Sequence, residues 1–243
     1  MLCSNFSNLN QRYQAIQNQT EAFPDFSPDF LALSRQLFEG HRDRPIPKQF
    51  EVWTLLGGLP LPNVLTQRFS ELFDEVVATI PKTCQFYKVW PQNYHWEVFI
   101  IQRPPEKVSQ FDLQQTPHRV KSILAEFAPL TIQYRGFLIA PDGTVMVKGY
   151  TECDEIRDRL SQEIPWASVQ QSQLVHISLG RILDPVGAEA FSHLKTLVQK
   201  AEKDEYGQFT VHEVKYVHES RWYMEEQEII VTLPLGRDRE FSP

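Results

Sequence analysis

Val175-His176-Ile177-Ser178-Leu179 alternates apolar and polar side chains at every position. In a β-strand, residues two apart point to the same face. His176 and Ser178 therefore share one face, and Val175, Ile177 and Leu179 are free to enter a core. A second stretch has the same grammar. Tyr94-His95-Trp96-Glu97-Val98, running into Phe99-Ile100-Ile101, puts His95 and Glu97 on one face and Trp96 and Val98 on the other. The two histidines stand 81 residues apart on two similar strands. Together they offer one proton acceptor and one proton donor.

Around these strands the chain is regularly punctuated. Phe50 to Leu56 reads as a strand, closed by the turn Gly57-Gly58-Leu59-Pro60. From Asn63 onward, Leu65, Phe69, Leu72, Phe73, Val76, Val77 and Ile80 recur at helical spacing until Pro81 stops them. After the His95 strand, Thr116 and Pro117 read as the N-cap and first residue of a helix whose apolar face is Val120, Ile123, Leu124 and Phe127. Leu130 to Leu138 and Thr144 to Tyr150 form a hairpin around Pro141-Asp142-Gly143, and a short helix carries Ile156 and Leu160. After the His176 strand comes a helix with Phe191, Leu194, Leu197 and Val198 on one face. Val211 to Val217 and Glu228 to Leu235 then read as paired strands. The order histidine strand, helix, paired strands thus occurs twice, with different residues. The fold class is α+β, with two lobes, each a small antiparallel sheet backed by helices.

This body spans residues 50–235. Residues 1–49 form an arm before it. Ser4 to Thr20 is rich in Asn and Gln, with Tyr13 and Ile16 as its spaced apolar anchors, and reads as mobile or weakly helical. Phe30, Leu33, Leu37 and Phe38 suit a short helix, and His41-Arg42-Asp43-Arg44 a solvated connector. Residues 236–243 are a C-terminal tail.

The 243 residues, 42% hydrophobic and 23% charged, have the composition of a globular protein able to bury a core without staples. No apolar run approaches the roughly 20 residues needed to span a bilayer, and the first residues show no signal-peptide pattern. Three scattered cysteines, Cys3, Cys84 and Cys153, lack CxxC spacing, which points to reduced thiols and a cytoplasmic setting. A formal charge of −7 argues against coating DNA or long RNA, and leaves a small nucleotide or a strand end as partner. Walker A, GxGxxG and GxSxG patterns are absent, so triphosphate hydrolysis, dinucleotide binding and α/β-hydrolase chemistry have no support. His212 and His218 lie six apart on a strand, too far for a shared metal, and read as a solvated face. No metal or cofactor is expected.

With these residues in place, the chain resembles the two-histidine (2H) phosphoesterase superfamily, the 2′-5′ RNA ligase-like and cyclic phosphodiesterase group. Val175-His176-Ile177-Ser178-Leu179 matches that family's His-apolar-Ser/Thr-apolar motif in full. Val214-Lys215-Tyr216-Val217-His218-Glu219-Ser220, then Tyr223, then Ile230-Val231-Thr232-Leu233-Pro234-Leu235 resembles its closing segment. The resemblance implies two pseudo-symmetric lobes with the histidines facing each other across a central cleft. It also implies a metal-free phosphodiesterase acting on a 2′,3′-cyclic or 2′-5′ linkage of a nucleotide or RNA end. His95 and His176 would be the acid and base, and Ser178 would hold a non-bridging oxygen.

The first motif departs from the family pattern, with Glu97 where Ser or Thr is expected. An ionised carboxylate cannot donate a hydrogen bond. At about 6 Å and an effective dielectric near 20 it would oppose a phosphate by roughly 3 kcal/mol. Three outcomes are open. Glu97 is protonated and donates, or it turns aside and orients His95, favouring that residue as the acid, or the site is degenerate. A non-catalytic module that binds a nucleotide or RNA end is the alternative function. A protein-interaction role through residues 1–49 is another. Tyr134-Arg135 and Arg221-Trp222-Tyr223 pair a cation with aromatics that can stack a base or clamp a phosphate at the cleft. Tyr134, Arg135, Trp222 and Tyr223 thus join Glu97 as candidate substrate contacts, with ordinary hairpin packing the simpler reading of each pair.

Overall fold

The computed structural model describes residues 6–40 and 44–236. Cys3, the connector residues His41 to Asp43, and the tail beyond Gly236 lie outside them. Helices α1 (Ser7–Glu21) and α2 (Pro28–Arg35) and the short strands β1 (Phe38–Glu39) and β2 (Ile46–Pro47) form the N-terminal arm. The body continues with β3 (Gln49–Gly57), α3 (Asn63–Ala78), β4 (Phe86–Lys88), β5 (Trp96–Gln102), α4 (Gln110–Leu124), β6 (Leu130–Ile139), β7 (Thr144–Tyr150) and α5 (Asp154–Glu163). It ends with β8 (His176–Ile182), α6 (Ala188–Lys200), β9 (Glu205–Val211), β10 (Glu213–Arg221) and β11 (Glu226–Pro234).

Two antiparallel sheets make the two lobes. One has the order β11-β10-β3-β5, the other β4-β8-β7-β6-β9. Helices α4 and α5 pack on the first, and α1, α3 and α6 on the second. The α+β fold with two lobes is as the sequence reads, but neither lobe is a continuous piece of chain. The β6–β7 hairpin follows the His95 strand and joins the sheet of His176. The β10–β11 hairpin follows the His176 strand and joins the sheet of β5. Each lobe is therefore completed by the hairpin that follows the other lobe's histidine.

Three local departures have physical causes. Residues 211–217 are not one strand, because the chain changes sheet at His212, whose carbonyl accepts from the Leu235 amide at 2.8 Å. Helix α4 starts at Gln110, six residues before the expected cap. Ser109 caps it, accepting from the Asp112 amide at 3.1 Å and donating to the Asp112 carboxylate at 2.6 Å. Pro117 then sits inside the helix. Lacking an N–H, it leaves the Leu113 carbonyl free, and the Tyr216 hydroxyl donates to that carbonyl at 3.3 Å.

The arm is the third departure. Of the mobile and weakly helical readings, residues 7–21 take the helical one, but as a packed helix that buries Leu9, Tyr13 and Thr20 against the second lobe. Thr20 donates to the Ile139 carbonyl at 2.9 Å. Spacings of three and four residues through Leu9, Tyr13, Ile16 and Thr20 give this polar helix a narrow face to bury. At the β6–β7 turn Gly143 has φ +81, and an added Cβ would lie 2.0 Å from the Ile182 carbonyl oxygen, so the Asp142-Gly143 turn tucks under β8.

Candidate active site

His95 immediately precedes β5, after a single 3₁₀ turn at Pro91–Asn93. Tyr94 and Trp96 are buried and fix the strand's inner face, leaving His95 and Glu97 half-buried on the other. The His95 ring is oriented by its own chain, with Nδ1 2.7 Å from the Asn93 carbonyl oxygen. A carbonyl only accepts, so Nδ1 carries the proton, and in the neutral ring Nε2 keeps its lone pair. The Asn93 side chain reaches the other way, donating to the carbonyls of Tyr223 at 3.0 Å and Met224 at 3.1 Å. These two residues adopt φ of 63° and 60°, in the left-handed region that non-glycine residues rarely occupy. The Glu219 carboxyl accepts from the Met224 amide at 2.8 Å, and Arg181 donates to the Tyr223 hydroxyl. The turn after β10 is thus tied to both lobes.

His176 opens β8, where residues 176, 178 and 181 are half-buried between the fully buried 177, 179, 180 and 182. A bulge against β7 shifts the alternation, which puts Arg181 on the same face as His176 and Ser178. Unlike His95, the His176 ring has no anchor: its Nδ1 is buried without a hydrogen-bond partner among the described residues. Its backbone is held instead. The Tyr13 hydroxyl accepts from the amides of Val175 at 3.2 Å and Gly149 at 3.3 Å, and its single proton is shared between their two carbonyls. Arg12 donates to the Gln173 carbonyl at 2.8 Å and Arg157 to that of Leu174 at 2.8 Å.

β5 and β8 approach one another, and the two imidazoles are close enough for charge on His95 to oppose charge on His176. Burial, the His95 ring and the Arg157 guanidinium push the His176 pKa down to about 4, with Asp142 acting weakly the other way. Burial also lowers His95, and the Asn93 carbonyl offsets part of that by stabilising the imidazolium. Glu97 moves in the opposite direction. Burial raises its pKa, against the partial opposition of Arg103 and Arg157.

Glu219, buried on β10, is pushed up to about 8 by burial, with the Met224 amide opposing and Glu97 adding to the rise. An acid whose folded pKa lies above its unfolded value destabilises the fold once it ionises. Stability is therefore full below about pH 4.5, falls as pH rises toward 8, and is level beyond. Glu219→Gln keeps an acceptor for Met224 and cannot ionise. Urea unfolding is expected to give equal stabilities at pH 4.5 and a variant more stable by several kcal/mol at pH 9. Equal stabilities at pH 9 would show that Glu219 ionises freely in the fold.

The other candidates separate. Tyr223 reaches the face of Ser178 through Arg181. Trp222 stacks on Phe50 with ring centroids 3.9 Å apart. Tyr134 is only 1% exposed and packs edge-on against Phe69 in the core. Arg135 lies where β6 meets β9, two strands from β8. Neither Tyr134 nor Arg135 stands with the histidines. His218 stacks on Trp53 at 4.4 Å. Cys84 and Cys153 are buried free thiols. Among the described residues no group of three or more His, Cys, Asp or Glu is arranged to hold a metal ion, and no helix is long and apolar enough to cross a membrane.

Asn93, Asp142, Arg157, Arg181 and Glu219 were not visible as site residues in the sequence. Only Glu219, inside the closing segment, carried any signal.

No protein-family model matches the chain, and no curated protein matches it by sequence. Among solved structures, TT0787 of Thermus thermophilus superposes with a TM-score of 0.50 and 14% identity, covering 77% of this chain and 99% of its own. Usb1 of Kluyveromyces marxianus gives a TM-score of 0.48 and 16% identity, covering 76% and 98%. Its structure with uridine monophosphate gives 0.49 and 15% over the same shares. With its two sheets and exchanged hairpins, the chain shares the fold of TT0787.

Proposed function

We propose that the chain is a metal-independent phosphodiesterase acting on a 2′,3′-cyclic or 2′-5′ phosphodiester of a nucleotide or RNA end, with His176 as general base and His95 as general acid. The observation that supports this most is the unequal setting of the two rings. His95 donates Nδ1–H to the Asn93 carbonyl, which stabilises its imidazolium. Burial, and after it the His95 ring and the Arg157 guanidinium, keep His176 neutral. In cyclic phosphate hydrolysis His176 takes a proton from water as that oxygen bonds to phosphorus. The ring P–O bond breaks, and His95 protonates the leaving ribose oxygen. Ser178, on the face of His176, donates to a non-bridging oxygen as charge grows there. Burial opposes an ionised Glu97 while Arg103 and Arg157 favour it, so where the family has a hydroxyl this site has a carboxyl whose charge two cations offset.

The test is turnover by the chelator-treated protein on a panel of 2′,3′-cyclic nucleotides, 2′-5′ dinucleotides and cyclic-phosphate-ended oligonucleotides, with products separated by chromatography. The pH dependence of kcat/KM reports the free protein's acid and base. The base must be neutral and the acid protonated, and both pKa values lie below the ordinary 6.5. A bell with its maximum on the acid side of pH 6.5 is therefore expected. No turnover on any member, with measurable binding of one, would replace this reading with the nucleotide-binding module.

A further inference from the structure

Arg157 lies on α5 outside either histidine motif and is only 6% exposed. Its guanidinium makes three hydrogen bonds, all to backbone. Nε donates to the Val98 carbonyl at 3.0 Å, and Nη2 to the carbonyls of Glu97 at 3.1 Å and Leu174 at 2.8 Å. The first two acceptors belong to β5, directly after His95. The third stands two residues before His176. One rigid fork thus spans the strands that carry both histidines, at the point where the two sheets meet. The fork rests on the Trp96 ring, with its carbon 5.8 Å from the ring centre. Nη1 is buried without a hydrogen-bond partner among the described residues. A buried, incompletely paired cation is costly, so its retention calls for a role.

We propose that Arg157 is a positioning residue of the two-histidine site: it fixes the spacing of the His95 and His176 strands and supplies the positive charge that lets Glu97 stand in the first motif. This rests on the two-histidine reading above. The fork matters because His176 has no ring anchor, so its direction follows its backbone, which Arg157 holds at Leu174. The charge matters because Glu97 faces Arg103, Arg157 and Glu219, while His176 faces His95, Arg157 and Asp142. Arg157 is the group common to both sets. It opposes proton gain at His176 and reduces the repulsion between Glu97 and a bound phosphate. Lysine keeps the charge but cannot hold three carbonyls in one plane.

Arg157→Lys, Arg157→Gln and the double variant Glu97→Thr with Arg157→Gln separate these effects, with folding checked by circular dichroism. The His176 titration is followed by NMR on its ring proton, and kcat/KM and affinity are measured with uridine 2′,3′-cyclic phosphate. Arg157→Lys is expected to leave the His176 midpoint low and to reduce kcat/KM about tenfold to a hundredfold. Arg157→Gln is expected to raise that midpoint and weaken binding, and adding Glu97→Thr is expected to restore part of the binding. A His176 midpoint unchanged in folded Arg157→Gln, or no recovery in the double variant, would overturn the proposal. If Arg157→Gln does not fold, an unchanged kcat/KM in Arg157→Lys overturns it. Should the wild type turn over nothing, the phosphodiesterase reading falls, while the His176 titration still decides the role of Arg157.

Discussion

His176→Ala is expected to lower turnover of a nucleoside 2′,3′-cyclic phosphate by about 10²–10⁴, and His95→Ala by a similar factor, because each removes one proton transfer. The two losses part company when the leaving group changes. In thymidine 3′-(4-nitrophenyl phosphate), which has no 2′-hydroxyl, water still attacks phosphorus, so the same base is still needed. The nitrophenolate leaves without a proton, so an acid is not. His176→Ala is then expected to remain fully impaired, while His95→Ala recovers most of its rate on this substrate. Binding should persist in both, since Ser178 and the cations of the cleft remain. The reversed pattern, with recovery in His176→Ala, would exchange the two roles. Equal rates in wild type and both variants would sink the two-histidine mechanism.

The assignment of His95 as acid shows how far the sequence reaches and where it stops. Its alternation is enough to put His95, Glu97, His176 and Ser178 on the polar faces of two strands. It also identifies the Glu97 departure. The sequence ties an acid role for His95 to Glu97 as its partner, whereas the ring is held by the Asn93 carbonyl, two residues back along the chain. A main-chain acceptor leaves no side-chain signature. Arg157 and Arg181 are hidden for a different reason: each is an ordinary cation in sequence, and its role arises from chain crossings over 17 to 60 residues or from a bulge. The hairpin exchange is likewise illegible, because strand periodicity reports which face is buried and not which sheet a strand joins. Tyr134 shows the opposite failure. Its neighbour Arg135 gives it the composition of a stacking pair, but alternation in β6 turns Tyr134 into the core.

Gly180→Ala is expected to be a severely damaging single-methyl change on β8. Gly180 lies on β8 between Ser178 and Arg181, paired with Lys88 on one side and Val145 on the other. An added Cβ would sit 2.3 Å from the Tyr87 carbonyl oxygen and 2.4 and 2.5 Å from two carbons of the Phe73 ring. Neither neighbour has room to retreat. Phe73 is fully buried on α3, and Tyr87 is packed against Phe38 and Tyr223 with its hydroxyl donating to Glu225 at 2.6 Å. Relief requires β8 to move away from α3 and β4, carrying Ser178 and Arg181 with it. A loss of about 3 kcal/mol or more is expected in urea unfolding. Gly187→Ala separates backbone strain from packing: at φ 87 and ψ 150 it lies in a region essentially confined to glycine, with nothing within 4 Å of its Cβ position, so its cost of about 1–3 kcal/mol is backbone strain alone. A loss below about 1 kcal/mol in Gly180→Ala would mean that β8 is not pressed against Phe73. The close contact that holds His176 and Ser178 at the cleft would then have to come from elsewhere.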